Sequence, residues 1–396
     1  MREAEDPSFG RLLGDEHRHL FSGVSVFLSE RSSEQMRGAV SAIEAVTRLP
    51  GYLDAVMAWA PALARTDHGP AGAFMGYDFH VGEDGAKLIE INTNAGGALL
   101  NRVLARAQRA CCGASPALNN GTTEAAFDAA VVQMFEEEWR LQRGSGRPNR
   151  IAIVDDDPEG QYLYPEFTLA QALLERHGIE TVICDPGQLA CVNGEVVYEG
   201  KTIDLVYNRL VDFSLSNATS MALREAYIAG SVVLTPNPHV HARFADKRNL
   251  SLLCDPERLA EWGAARSDIE LLTAVIPKTM LVTRENADEL WAQRRTLFFK
   301  PVTGYGSKAV YRGAKITKTV WAEIIGGRHV AQAYVPPSER MVKVDDIPAP
   351  RKLDLRLYTY GGEVLLTAAR LYQGQATNFR TEGGGFAPVL QTSAGV

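Results

Sequence analysis

The sequence predicts an α/β protein with several separate groups of strands. Three patterns indicate this: strands and helices alternate through residues 148–246, a hairpin with a polar face precedes them at 76–92, and a glycine-containing loop between two strands follows at 297–311. Continuous apolar strands that alternate with helices are typical of a parallel sheet with both faces covered. The chain of 396 residues is also long enough for two or three domains.

Composition and charge narrow the possible partners. The 45% hydrophobic and 22% charged residues are ordinary for a globular protein, and the net charge of −7 argues against a general nucleic-acid binder. No apolar run approaches the roughly 20 residues that cross a bilayer, so no membrane partner is expected. The acidic N-terminus lacks the apolar core of a signal peptide. The five cysteines are odd in number and form no C-x-x-C pair. We therefore expect reduced thiols and a cytoplasmic protein.

The alternating middle segment predicts a ligand site at one edge of its sheet. The apolar run 150–154 is followed by an acidic turn at 155–157, and the strand at 204–209 ends in Arg209. Because parallel sheets bind ligands at the carboxyl ends of their strands, Arg209 is a candidate substrate anchor. The alternative is a surface ion pair between Arg209 and Asp212. No G-x-G-x-x-G sequence opens the first helix, which argues against a nicotinamide cofactor.

The hairpin at 76–92 predicts a metal site. Glu90 and Asn92 are two positions apart on a strand, so both side chains point to the same face, and the turn folds Asp78 back beside them. Two carboxylates and an amide oxygen suit Mg²⁺ that also carries phosphate groups. The glycine pair at 96–97 lets backbone approach a bound group closely. The alternative is a surface hairpin that binds nothing, since short acidic motifs recur by chance.

A second polar cluster lies in the last third of the chain. A strand ends in Lys300, a loop with Gly304, Gly306 and Ser307 follows, and a further strand is predicted over 330–335. A lysine at a strand end acts as a point charge on phosphate oxygens, and the N–H groups of a glycine loop can bind a terminal phosphate. The irregular end of the later strand offers backbone donors and acceptors to a purine ring. A glycine hairpin with an exposed lysine is the common alternative.

Taken in order, these motifs resemble those of the ATP-grasp superfamily. The matching positions after residue 246 are Lys247, Lys300, the loop at 304–306, residues 332–335, Asp354, Arg356, Arg370 and Asn378. In that family the Asp…Glu-x-Asn hairpin comes last, whereas here it comes first. The chain therefore resembles a circularly permuted ATP-grasp protein of the eukaryotic-type glutathione synthetase or glutathionylspermidine synthetase kind, whose Glu-x-Asn-Thr motif matches residues 90–93. The permutation implies that residues 385–390 pack beside the N-terminal helical segment 33–60.

The resemblance implies an ATP-dependent carboxylate–amine ligase that forms an amide through an acylphosphate. It implies ATP and Mg²⁺ as cofactors, a small-molecule carboxylate and amine (amino acid or peptide-like) as partners, and a homodimer. The implied roles are metal binding by Asp78, Glu90 and Asn92; ATP binding by Lys247, Lys300, Gly304, Gly306, Ser307, Gln332, Tyr334 and Val335; substrate binding by Arg209 and Asn94; and catalysis by Arg370, Asn378 and Arg380. The open alternatives are a phosphotransferase that stops at a phosphorylated product and a nucleotide-binding regulator without turnover.

The same resemblance divides the chain into four parts. These are a permuted piece of the ATP-grasp domain with the metal hairpin at 1–112, a helix and linker at 113–147, an inserted parallel α/β substrate domain at 148–246, and ATP-grasp subdomains with the glycine loop and hinge at 247–396.

Three smaller expectations concern single side chains. Asp354 is expected to pair with Arg356 across a hairpin and not to bind metal. His239 and His241 have H-x-H spacing without further ligands nearby, so solvated histidines are expected in preference to a zinc site. The loop after Lys300 lacks the metal-binding carboxylate of the eukaryotic synthetases, and in this respect resembles bacterial amino-acid ligases.

Overall fold

A computed structural model describes residues 13–14, 17–112, 123–302, 309–375, 377–378 and 381–392. Four of the predicted site residues, Gly304, Gly306, Ser307 and Arg380, lie outside these ranges. Within them, no helix combines the length and the apolar character needed to cross a membrane.

The described residues contain eighteen strands in four sheets. In chain order the strands are β1 Val26–Ser29, β2 Met75–Gly82, β3 Gly85–Asn92, β4 Arg150–Val154, β5 Glu180–Cys184, β6 Ala190–Val192, β7 Glu195–Tyr198, β8 Lys201–Thr202, β9 Leu205–Asn208, β10 Val233–Thr235, β11 Thr279–Leu281, β12 Leu297–Pro301, β13 Tyr311–Arg312, β14 His329–Ala333, β15 Ser338–Val344, β16 Ile347–Tyr360, β17 Glu363–Tyr372 and β18 Gly385–Thr392.

The main helices surround these sheets. In chain order they are α1 Glu30–Val46, α2 Pro50–Trp59, α3 Ala98–Cys112, α4 Glu124–Arg143, α5 Tyr164–Arg176, α6 Met221–Ala229, α7 Asn249–Leu253, α8 Pro256–Glu261, α9 Arg266–Val275, α10 Ala287–Gln293 and α11 Lys318–Gly326. A short turn of helix at Pro238–Val240 runs directly into a π-helix at His241–Ala245.

Local sequence explains where the first helices begin. The hydroxyl of Ser29 accepts a hydrogen bond from a backbone N–H three residues later and caps α1. Apolar side chains at helical spacing, such as Val40 and Ile43, then face the core. A second helix starts at Pro50, since a proline in the first turn has no N–H to leave unpaired. The helical segment predicted over 33–60 is therefore two helices.

The largest sheet joins segments from near both ends of the chain. Its strand order is β1-β18-β17-β16-β2-β3, and β15 pairs with the other half of the long strand β16. β18 runs parallel to β1, with Val389 opposite Val26. Both valines belong to one hydrophobic core with Val40 and Ile43 of α1, which is the packing predicted for residues 385–390. The early hairpin is thereby built into a sheet with late strands.

The parallel sheet predicted for the middle of the chain is present. Its order is β10-β9-β4-β5, and all three pairings are parallel. Both faces are covered, as the continuous apolar run of β4 requires. Ile151 packs into one core with Phe167 of α5, and Ala152 packs into another with Leu223 of α6.

Two smaller sheets complete the fold. The order β11-β14-β12-β13 is antiparallel and packs against α10 and α11, with Phe299, Leu290 and Trp321 in its core. A three-stranded sheet, β6-β7-β8, lies beside the parallel sheet. The sheet formed by β11, β14, β12 and β13 is called the small sheet below. It faces one end of the largest sheet.

A single buried carboxylate connects three of these units. Glu138 of α4 is fully buried and accepts hydrogen bonds from the backbone N–H groups of Ala71 (2.7 Å) and Gly72 (3.0 Å). The hydroxyls of Tyr360 (2.9 Å) and Thr235 also donate to it. Burial raises the pKa of Glu138, although all four donors act to lower it. The loop before β2, the parallel sheet and β16 are thus held at one point.

Glu138→Gln is expected to destabilise the protein by about 1–3 kcal/mol, because the amide keeps one acceptor oxygen and turns an NH₂ group toward buried donors. Urea denaturation followed by circular dichroism measures the loss. The matched control is Glu137→Gln, whose half-exposed side chain pairs only with Arg140 at 3.0 Å and whose loss is expected to cost under about 0.5 kcal/mol. Equal effects of the two substitutions would contradict the connecting role of Glu138.

Candidate functional site

A cavity of about 810 Å³ lies between the largest sheet and the small sheet. Its lining comes from β2, β3, β16 and β17 on one side and from β12 and β14 on the other. Ten of the predicted site residues line it: Asp78, Glu90, Asn92, Asn94, Lys247, Lys300, Gln332, Tyr334, Val335 and Arg370. Arg209 and Asn378 are not among the lining residues. Early and late segments of the chain therefore meet in one cavity, as predicted.

The predicted metal hairpin has the expected geometry. Asp78 lies directly opposite Glu90, and Asn92 lies opposite Gly76, with an irregularity after Asp78 that shifts the register. The amide nitrogen of Asn92 donates to Asp78 at 3.0 Å, which leaves the amide oxygen of Asn92 for another partner. A glycine at position 76 is needed here, since a Cβ would lie 2.5 Å from that of Ala95.

Asp78 is enclosed by two arginines. Arg356 donates to both of its oxygens, at 2.6 and 2.7 Å, and Arg370 donates to one at 2.7 Å. Burial by itself would raise the pKa of Asp78, but the charges of Arg356 and Arg370 outweigh burial and hold that pKa below its usual value. Asp78 is therefore a carboxylate at neutral pH, and its charge fixes the direction of both guanidinium groups.

Asp354 is paired differently from the expectation. Its carboxylate accepts from Arg370 at 2.6 Å and from the hydroxyl of Thr377 at 2.5 Å. The expected pairing of Asp354 with Arg356 is wrong, because these two residues share strand β16 and each pairs with the residue directly across from it. Asp354 faces Arg370 on β17, and Arg356 faces Asp78 on β2.

Lys247 and Lys300 both contact strand β3 of the hairpin. Lys247 forms an ion pair with Glu90 at 3.1 Å. Lys300 donates to the backbone oxygen of Ile89 and to the side-chain oxygen of Gln332, both at 2.8 Å. Burial lowers the pKa of Lys300 to about 8, with Glu90 opposing and Lys247 reinforcing that shift. For Glu90, burial acts to raise the pKa, but Lys247 and Lys300 bring it below its usual value. Gln332 thus holds Lys300 in place.

The cavity is basic although the whole chain is acidic. Seven lysines and arginines line it against four aspartates and glutamates, while the net charge of the chain is −7. A concave site with one excess sign of charge concentrates the field and attracts ligands of the opposite sign. The cavity is therefore suited to a polyanion.

Aromatic rings form the end of the cavity at the small sheet. Phe298 and Tyr334 are stacked with centroids 6.3 Å apart, and the guanidinium of Arg312 lies 4.5 Å from the centre of the Tyr334 ring. His80, on the largest sheet, donates from Nδ1 to the backbone oxygen of Val335 at 2.9 Å. Phe298, Arg312 and His80 are not among the site residues predicted from the sequence. The position of His80, two residues after Asp78 and on the same face of β2, could have indicated it.

Asn94 also lines the cavity, and Arg209 contacts it. Arg209 donates to the backbone oxygen of Asn94 at 2.7 Å and to the hydroxyl of Tyr207 at 3.1 Å. Arg209 thus supports Asn94 from behind the cavity wall. The alternative pairing with Asp212 is not formed; that carboxylate accepts from the loop that follows it, including the N–H of Asn217 at 2.8 Å.

Of the two histidines expected to be solvated, His239 is buried and His241 is half-buried. His239 is 9% exposed. His241 stacks on Phe213 at 3.7 Å and shares a hydrogen bond with Thr93 at 3.0 Å. Burial lowers the pKa of His241 to about 3, so this ring is neutral. Among the described residues, no group of three or more His, Cys, Asp or Glu side chains is arranged to hold a metal.

No family model and no curated protein matches the sequence. Among solved structures, a glutathione synthetase-like effector from Globodera pallida is similar, with a TM-score of 0.60, 12% identity, and 94% of this chain and 90% of that chain covered. The ATP-grasp ligase PsnB with minimal precursor, Mg and ADP matches 61% of this chain and 88% of its own at 13% identity, but a TM-score of 0.30 adds nothing to the fold assignment. The predicted resemblance to glutathione synthetases is confirmed at the level of the fold alone, through the similarity to the Globodera pallida effector.

Proposed function

We propose that this protein is an ATP-dependent carboxylate–amine ligase that forms an amide bond through an acylphosphate. One observation carries the proposal: an acidic hairpin from the start of the chain and cations from its end line the same basic cavity, in a fold shared with a glutathione synthetase-like protein. A basic cavity between two sheets suits a nucleoside triphosphate together with an anionic second substrate.

The order of groups along the cavity supports one orientation of the nucleotide. The aromatic end at Phe298 and Tyr334 offers flat surfaces and strand backbone to a purine. The ammonium nitrogen of Lys300 lies 5.9 Å from the centre of the Phe298 ring, and Lys247 pairs with Glu90. Both lysines would neutralise the phosphates that follow the purine. Arg370 and Arg356 bind Asp78, which lies opposite Glu90, and would stabilise developing charge on a transferred phosphoryl group and on the substrate carbonyl oxygen.

The donor set fits Mg²⁺ through Glu90 and Asn92. Glu90 keeps one carboxylate oxygen that is not used by Lys247, and the oxygen of Asn92 is free because only its amide nitrogen bonds Asp78. Mg²⁺ commonly takes one or two protein oxygens and completes its shell with phosphate oxygens and water. When bound there, it would screen the charge of the phosphates. Asp78 would join as a third ligand only by giving up a hydrogen bond to an arginine.

The proposed reaction has two steps. An oxygen of the substrate carboxylate attacks the γ-phosphorus of ATP, the bond to the bridging oxygen breaks, and ADP leaves with that electron pair. The nitrogen of the amine substrate then attacks the acyl carbon, loses a proton, and expels inorganic phosphate. In both steps the protein acts by holding charge and position, with Arg370 beside the tetrahedral oxygen and Asn94, supported by Arg209, at the substrate end.

We further propose that the fold is a circular permutation with an inserted domain. The pairing of β18 with β1 supports it, because these strands come from near the two ends of the chain and lie side by side in one sheet. When the two ends of a domain lie close together, joining them and opening the chain at another surface position changes little of the fold. On this basis residues 148–246 are the substrate domain, 113–147 the linker to it, and 1–112 together with 247–396 the nucleotide-binding part.

The test is ADP release with Mg²⁺ and a panel of paired carboxylates and amines, followed by mass spectrometry of the products. With an ¹⁸O-labelled carboxylate, one ¹⁸O is expected in the released inorganic phosphate and a new amide in the organic product. A stable phosphorylated product without amide would support a phosphotransferase. Binding of ATP without stimulated ADP release by any pair would support a regulator, and either result would overturn the ligase proposal.

Lys300 predicts the pH dependence of nucleotide binding. Its pKa of about 8 means that the ammonium charge is complete near pH 7 and is lost as the pH rises through about 8. The Kd for ATP is therefore expected to rise over that range, and binding above it should take up a proton, because phosphates favour charged lysine. Calorimetry in two buffers of different ionisation enthalpy measures both effects. Lys300→Arg, which stays charged, should remove the pH dependence; the same pH dependence in that variant would contradict the assignment.

A further inference from the structure

His80 carries an unpaired hydrogen-bond acceptor in the nucleotide cavity. The ring is half-buried on β2 and lines the cavity. Its Nδ1 is paired with the backbone oxygen of Val335 at 2.9 Å. Within the described ranges no residue pairs with Nε2. A polar atom left unpaired toward a cavity loses hydrogen bonding unless water or a ligand supplies it.

The bond to Val335 fixes which ring nitrogen accepts. A carbonyl oxygen only accepts hydrogen bonds, so Nδ1 must carry the proton in this contact. In a neutral imidazole the other nitrogen, Nε2, then has a free lone pair. Nε2 is therefore an acceptor that needs a donor.

The position of His80 identifies the donor. On one side it contacts Val335, two residues beyond β14, the strand proposed to meet the purine. On the other side Asp78, two residues earlier on the same face of β2, is bound by Arg356 and Arg370, which belong to the phosphate end. A nucleotide is joined in the order base, ribose, phosphate. The part that lies between the purine and the phosphates is the ribose, and its donors are hydroxyl groups.

We propose that Nε2 of His80 accepts a hydrogen bond from a ribose hydroxyl and thereby makes the site prefer ribonucleotides to deoxyribonucleotides. This inference rests on the proposed nucleotide site. A neutral hydrogen bond contributes modestly in net terms, so the expected preference is roughly three- to tenfold in Kd.

Glu339 is the competing acceptor, because its carboxylate lines the same cavity. A preference of the wild-type protein for ATP over a deoxy analogue would fit either residue. The two are separated by asking whose substitution removes the preference.

The experiment measures the Kd of ATP, 2′-deoxy-ATP and 3′-deoxy-ATP by calorimetry with Mg²⁺. His80→Asn keeps a donor near the position of Nδ1 and places no atom near Nε2, whereas His80→Gln places an amide oxygen near Nε2. Glu339→Met, which has a similar length and no carboxylate or amide oxygen, is the matched control. Each variant serves as its own folding control, since the measured quantity is a ratio of affinities within one protein.

Wild type is expected to lose roughly three- to tenfold in affinity with one of the two deoxy analogues. His80→Asn should bind ATP and that analogue equally, His80→Gln should recover part of the preference, and Glu339→Met should retain it. Equal binding of all three nucleotides by wild type would overturn the inference and leave the ligase proposal intact. A preference that survives His80→Asn and vanishes in Glu339→Met would also overturn it. Failure of wild type to bind any of them would overturn both.

Discussion

Lys300→Met is expected to weaken ATP binding by at least about 30-fold and to abolish ADP release. Removing one partner of a buried, hydrogen-bonded charge pair typically costs about 2–5 kcal/mol. Lys300 is 6% exposed and is aimed by two acceptors, the backbone oxygen of Ile89 and the side chain of Gln332. Its ammonium group is thus placed before the nucleotide arrives, and the phosphates gain its charge without further ordering. Calorimetry measures the Kd, and coupled ADP detection measures turnover.

Two features make Lys300→Met a clean test. Methionine has a similar length and adapts its shape to apolar surroundings, and Glu90 keeps Lys247 as its ion-pair partner. The fold is therefore expected to persist. The control is Lys315→Met, an exposed lysine of the same cavity lining, for which a loss of less than about threefold is expected, since exposed charges are screened. Wild-type affinity in Lys300→Met would contradict the placement of phosphates beside Lys300.

Local pattern was sufficient for the elements that depend on neighbouring residues. Asp78 opposite Glu90 follows from a short turn and period-two alternation. The parallel sheet follows from apolar strand runs separated by helices. The meeting of β2 with β16 does not, because Asp78 and Arg356 are 278 positions apart and no local signal specifies a pairing at that separation. That part of the prediction depended on the family resemblance.

The errors have the same origin. The expectation that Asp354 pairs with Arg356 comes from their closeness in sequence. Side chains two positions apart on a strand lie side by side, and each contacts a residue on a neighbouring strand. The neighbours of His241, Phe213 and Thr93, come from other segments, so a search for ligands nearby in the sequence could not reveal these contacts. These contacts depend on the cross-strand register, which is known only from the structure of the whole sheet.

Arg370→Met is expected to destabilise the protein by about 3–5 kcal/mol and to reduce turnover at least about 100-fold. The substitution removes a cationic partner of buried carboxylates and a preorganised positive charge. Arg370 pairs with Asp354 at 2.6 Å and Asp78 at 2.7 Å, and all three side chains are buried. Asp78 retains Arg356 in the variant, whereas Asp354 loses Arg370 and retains the hydroxyl of Thr377. Urea denaturation and ADP release measure the two losses. Arg266→Met, at a side chain that is 92% exposed, controls for loss of an arginine and should cost under about 0.5 kcal/mol.

The double variant Asp354→Asn with Arg370→Met separates the two roles of Arg370. If the instability arises from the unpaired charge of Asp354, an amide at that position should recover at least about 1 kcal/mol relative to Arg370→Met, since residues in direct contact are energetically coupled. Turnover should stay low, because no positive charge replaces the guanidinium at the reacting phosphate. Recovery of stability and turnover together would mean that Arg370 only supports the sheet. Recovery of stability alone is the result expected of a residue that both neutralises two buried carboxylates and acts on the substrate.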